Sequence, residues 1–179
     1  MFLLQMVDTT IKKVKSHAAN LITICNLSFG SASIMATLNE AYSYSVLFIF
    51  IAAFLDRYDG KVARKFNLES ELGKQLDSMG DIISFGVAPA LLMYEIIMTH
   101  LGMAGTLLTI LYIASGAFRL ARFNITESTG YFVGLPITAA GTFLTFTYFF
   151  TTIVNPITYL FLFPLLSILM ISNFKLKKV

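Results

Sequence analysis

The sequence predicts an all-α, polytopic membrane protein: six transmembrane helices preceded by a short N-terminal amphipathic helix at the membrane interface. Three observations predict it. Of the 179 residues, 56% are hydrophobic and only 13% charged, and the mean hydropathy is +0.75, too apolar for a soluble domain of this size. Six apolar stretches, at roughly 20–38, 41–57, 79–99, 102–122, 133–153 and 157–174, each come near the ~20 residues that cross a ~30 Å hydrocarbon layer. The thirteen Lys and Arg fall in four clusters, all of which six spans bring to one side.

The elements come in order along the chain. Residues 1–19 set Phe2, Leu3, Leu4, Met6, Val7, Ile11 and Val14 around Lys12, Lys13 and Lys15, the pattern of a surface helix. Residues 20–179 form one membrane domain with no internal repeat or low-complexity tract. After the second apolar stretch come Arg57, Lys61, Arg64, Lys65 and Lys74; Arg119 and Arg122 close the fourth; Lys175, Lys177 and Lys178 lie after the sixth. The loops around Asn39, His100 and Asn155 carry no Lys or Arg. The positive-inside rule therefore puts both termini and the 2–3 and 4–5 connections in the cytoplasm, and the chain in the cell membrane. Gly130 and Gly134 are spaced as G-x-x-x-G, but Pro136 comes directly after, which predicts a turn and helix start. Cys25 is the single cysteine, which excludes an intramolecular disulfide and a zinc cluster.

Residues 56–81 read DRYDGKVARKFNLESELGKQLDSMGD. Tyr42 to Leu55 gives only about 21 Å of helix at ~1.5 Å per residue, so Asp56 sits just below the cytoplasmic surface. Asp56 and Asp59 are three apart at the end of helix 2. Asp77 and Asp81 are four apart at the start of helix 3, so each pair shares a helix face. About a dozen residues join the pairs, and antiparallel helices would converge all four carboxylates. Such acids repel one another in a low-dielectric pocket unless cations neutralise them. Oxygen ligands without Cys or His favour Mg²⁺, Mn²⁺ or Ca²⁺ over zinc.

Small residues beside the acids suit a nucleotide. Gly60 and Ala63 continue the Asp56/Asp59 face, Gly73 opens helix 3, and Arg64 adds a permanent cation that can grip phosphate. A lone D-x-x-D would be an ordinary solvated pair. Eight specified residues at fixed intervals, on one surface by independent topology, are not.

Those eight, Asp56, Asp59, Gly60, Ala63, Arg64, Gly73, Asp77 and Asp81, match the signature of the CDP-alcohol phosphotransferase family, which the chain resembles over roughly residues 20 to 141. Thr23 and Asn26 resemble the T-x-x-N element of that family's first helix, although the usual preceding proline is absent at Ala19–Asn20. LDSMGDIISFGVAPA from Leu76, GAFRLARFNI from Gly116 and FVGLPI from Phe132 look most like the short, membrane-integral phosphatidylserine synthase branch. Ile82 after Asp81 departs from the Lys usual in the glycerophosphate branch.

The resemblance implies an enzyme that transfers a phosphatidyl group from CDP-diacylglycerol to the hydroxyl of L-serine, giving phosphatidylserine and CMP by a two-metal in-line displacement. Asp56, Asp59, Asp77 and Asp81 would hold two divalent cations, Mg²⁺ or Mn²⁺, with Asp81 also the general base. Thr23, Asn26, Gly60, Ala63, Arg64, Gly73 and Ser78 would bind the CDP-lipid, and Ser84, Arg119, Arg122 and Asn124 the acceptor. A homodimer among membrane lipids is implied, with no nucleic-acid partner. Two rivals stand beside this: the same chemistry with inositol phosphate or glycerol phosphate as acceptor, and a divalent-cation transporter that uses intramembrane carboxylates.

Overall fold

The structure, a computed structural model, describes the backbone of residues 2–66, 71–125, 131–173 and 175–177, and the side chains of residues 20–58, 71–125 and 134–173. Helix α1 runs Phe2–Leu38. Residues expected to form a separate surface helix continue into it without a break in the backbone; their side chains lie outside the described residues.

The turn that ends α1 shows how local chemistry sets the bundle. Glu40 takes φ 59°, its N–H bonds the Thr37 carbonyl, and the Ala41 N–H bonds that of Ala36. This is a Schellman closure with Glu40 where glycine is usual. Helix α2, Tyr42–Phe66, returns directly along α1. The Ser45 hydroxyl lies 2.8 Å from those of both Ser33 and Thr37, and Thr37 also donates to the Ser33 carbonyl. All three side chains are buried, so polar groups join the pair where hydrocarbon would give no preference between helices.

The third rod has three parts: α3, Glu71–Asp81, a π-helical turn at Ile82–Val87, and α4, Ala88–Ile96. A 3₁₀ turn, Met98–Leu101, and Gly102 at φ 62° lead into α5, Gly102–Ile125. Next come α6, Ile137–Phe146, a 3₁₀ turn at Thr147–Phe150, and α7, Tyr159–Ile171. Phe85, Tyr112, Leu144 and Phe163, all fully buried, fill the space between these rods.

Three helical stretches, Asn20–Leu38, Glu71–Ile96 and Met98–Ile125, are long and apolar enough to cross a membrane, and Ile137–Phe150 and Pro156–Ile171 are shorter apolar helices. The protein is thus a helical membrane protein.

The fold is all-helical apart from one short ladder, in which Tyr131–Val133 (β1) pairs antiparallel with Lys175–Lys177 (β2), Tyr131 opposite Lys177. One expectation is corrected. The fifth rod, expected to begin at 133, begins at Ile137, because Pro136 caps α6 in an extended conformation and cannot be reached by a helix from before it. Gly134 makes the turn between them, as the sequence predicts. Its φ is 72°, and a Cβ there would fall 2.7 Å from the Met170 carbonyl oxygen.

Candidate active site

The hairpin of α2 and α3 places Asp56, Asp77 and Asp81 together, with a carboxylate oxygen from each lying within 4.8 Å of the others. Asp56 comes from one helix and the i, i+4 pair Asp77/Asp81 from the other, as their spacing requires. Asp81 is buried; its carboxyl meets that of Asp56, while Oδ1 has no hydrogen-bond partner. Three acids so close repel one another, and an orphaned buried oxygen costs stability. The donor set is all oxygen, one of them buried and unpaired, which fits a hard divalent cation.

These acids stand at the wall of a cleft of about 910 Å³. From α2 it is lined by Phe50, Ala53, Asp56 and Arg57; from α3 by Lys74, Asp77, Ser78 and Asp81; from α5 by Arg119, Leu120, Phe123 and Asn124. Pro136 and α6 close it with Thr138, Ala139, Thr142, Phe143 and Phe146. At 3.6 residues per turn the α6 set is one stripe, and so are Phe50, Ala53 and Arg57 on α2. The lining combines charged side chains with apolar ones. It can take a molecule with a polar head and an apolar body.

Arg119 is buried, its Nε has no hydrogen-bond partner, and its charge attracts that of Asp81. Asn124 donates to the Ser78 hydroxyl at 2.9 Å, so these two expected site residues form one edge of the cleft.

Other expected residues are placed differently. Arg122, three residues from Arg119, does not line the cleft. It donates to the carbonyls of Ile171 and Ser172 and to Asn173 Oδ1, at 2.8, 3.2 and 2.9 Å, capping the end of α7. Ser84 is fully buried and donates to the Asn26 carbonyl at 3.1 Å. In both cases a carbonyl lies within reach on a neighbouring element.

Thr23 and Asn26 are buried against α3, where a Cβ on Gly80 would stand 3.6 Å from Asn26 Nδ2. They pack beside Gly80, the residue before Asp81, and do not line the cleft; both polar atoms of the Asn26 side chain have no hydrogen-bond partner. Gly73 lies in the first turn of α3. Asp59, Gly60, Ala63 and Arg64 belong to α2 by backbone, but their side chains lie outside the described residues.

Sequence reasoning missed Arg57 and Lys74 as lining residues, because cations in that connection had a sufficient explanation in topology. It also missed the α6 stripe, whose residues are neutral and carry no motif.

Residues 16–174 match the family model described as CDP-alcohol phosphatidyltransferase. The chain is 40% identical over 159 residues to a CDP-diacylglycerol–serine O-phosphatidyltransferase of Bacillus subtilis (strain 168), covering 87% of this chain and 86% of that protein. It is 33% identical over 165 residues to a protein of the same name from Helicobacter pylori (strain ATCC 700392 / 26695), covering 87% and 70%. With the archaetidylserine synthase of Methanothermobacter thermautotrophicus it shares 32% over 173 residues, covering 94% and 73%.

Proposed function

The chain belongs to the CDP-alcohol phosphatidyltransferase family, and from that premise we propose that it transfers the phosphatidyl group of CDP-diacylglycerol to the hydroxyl of L-serine, releasing CMP. The observation that carries this is the cleft itself, lined by three carboxylates and a buried arginine together with the apolar Phe50, Ala53, Ala139, Phe143 and Phe146 of α2 and α6. A lipid with a pyrophosphate head has that distribution of polarity, and relatives named for the serine reaction cover most of the chain.

Asp56, Asp59, Asp77 and Asp81 would hold two divalent ions, Mg²⁺ or Mn²⁺. Bound there, such ions would supply positive charge to neutralise the pyrophosphate and the departing CMP. Asp81 takes the proton from the serine hydroxyl as that oxygen forms its bond to the lipid-bearing phosphorus; the bond to the CMP oxygen breaks with its electron pair leaving on CMP. Arg119 binds the serine carboxylate, which its planar guanidinium suits, and Ser78 and Asn124 form the neighbouring polar wall. Gly60, Ala63, Arg64 and Gly73 cradle the cytidine end, and Thr23 and Asn26 support it from α1.

The reading includes six spans, residues 1–19 on the cytoplasmic surface, both termini and the cleft's acids facing the cytoplasm, and a homodimer. The clustering of Lys and Arg supports this orientation.

The test is purified protein with CDP-diacylglycerol, Mn²⁺ or Mg²⁺ and a panel of labelled acceptors. CMP release with serine is expected. Release with glycerol 3-phosphate but not serine would overturn the acceptor assignment and leave the transferase chemistry standing.

A further inference from the structure

The residue after Asp81 begins a wide turn. Ile82–Val87 is π-helical, and the Ala88 N–H closes it on the Ile83 carbonyl, five residues back. Pro89 has no N–H to offer the Phe85 carbonyl four residues before it. That carbonyl instead accepts from the Tyr112 hydroxyl at 3.1 Å, and Tyr112 is fully buried on α5. On the opposite side, Ser84 donates to the Asn26 carbonyl of α1. Helix α6 arrives from a third direction, where any side chain on Gly141 would overlap the Phe85 carbonyl.

A π turn holds more residues than an α turn, so it rotates the helix on its N-terminal side relative to the helix on its C-terminal side. On the C-terminal side is α4, packed in the core through Ala88, Leu92 and Met93. On the N-terminal side is Asp81. The width of this turn therefore sets the direction in which the carboxylate points. Tyr112 and Arg119 are seven residues apart, on one face of α5, so the face that grips the turn is also the face that reaches the cleft.

We propose that Tyr112 is a positioning residue: its hydroxyl holds the π turn and so fixes the Asp81 carboxylate against Asp56 and Asp77. This rests on the reading of those three acids as metal ligands.

Tyr112→Phe removes one oxygen and keeps the ring. Mn²⁺ binding is read by electron paramagnetic resonance without substrate, beside kcat, KM for CDP-diacylglycerol and melting temperature. Mn²⁺ affinity and kcat should each fall about tenfold, the scale for losing a group that orients a ligand, with KM unchanged. Wild-type Mn²⁺ binding and kcat, whatever the melting temperature, would overturn the role. Should the variant not fold, Ser84→Ala at the opposite strut carries the same comparison, with weakened Mn²⁺ binding supporting the role and wild-type binding overturning it. Asp81→Asn run in parallel separates the two readings. If it too binds Mn²⁺ like wild type, the ligand assignment fails; if it loses Mn²⁺ and Tyr112→Phe does not, only the role of Tyr112 fails.

Discussion

Two of the buried polar clusters among the described residues are built on opposite principles. Near the α1–α2 turn, Ser33, Thr37 and Ser45 satisfy one another at 2.8 to 3.0 Å. At the cleft, Asp81 Oδ1 and Arg119 Nε are buried with no hydrogen-bond partner. Buried polar atoms are nearly always paired, so a closed network is a packing device, whereas a group of orphans calls for something that completes it. The first cluster holds two helices together. The second is arranged for a ligand.

The largest effect that would sharpen this contrast is at Asp81. Asp81→Asn should lower turnover at least ~10²-fold, the scale of losing a general base. It should also raise the melting temperature of metal-free protein, since one of three crowded negative charges is gone. Calorimetry and CMP release check both; an active Asp81→Asn protein would remove the general-base assignment.

Next in size is Arg119→Lys, which keeps the charge and loses the planar fork. KM for serine should rise about tenfold with KM for CDP-diacylglycerol unchanged, on the scale of a lost charge-assisted bond. Steady-state kinetics in each substrate decides it, and an equal rise in both would assign Arg119 to the lipid instead.

The smallest effect belongs to the satisfied cluster. Ser45→Ala leaves the Ser33 and Thr37 hydroxyls short of a partner and should cost about 1 kcal/mol of stability. Both KM values and kcat should stay at wild type. A kinetic defect there would erase the distinction between the two clusters.

Much of the cleft was legible because its acids are few in an apolar chain and their spacing maps directly onto helix faces. Asp56, Asp77 and Asp81 needed only an antiparallel hairpin to meet. Arg119 and Arg122 could not be told apart, since both end the same helix in the same charge environment. Only the arrival of α7 decides that Arg122 caps Ile171 and Ser172 while Arg119 faces the acids. The π turn left one faint trace, Pro89, whose missing N–H shows that a carbonyl is left over but not which neighbour takes it. The β1–β2 ladder was hidden because three basic residues after an apolar helix already had a topological meaning.

The cap that Arg122 places on α7 has a consequence for assembly. A ribosome delivers Arg122 on α5 some fifty residues ahead of the end of α7, so the guanidinium is made before the carbonyls of Ile171 and Ser172 that it caps. The β1–β2 ladder then ties the same late segment to the strand that leads into α6, the wall of the cleft. That restraint on the wall is thus synthesised after the wall itself, and a nascent chain carries its acid hairpin well before the cleft around it can close.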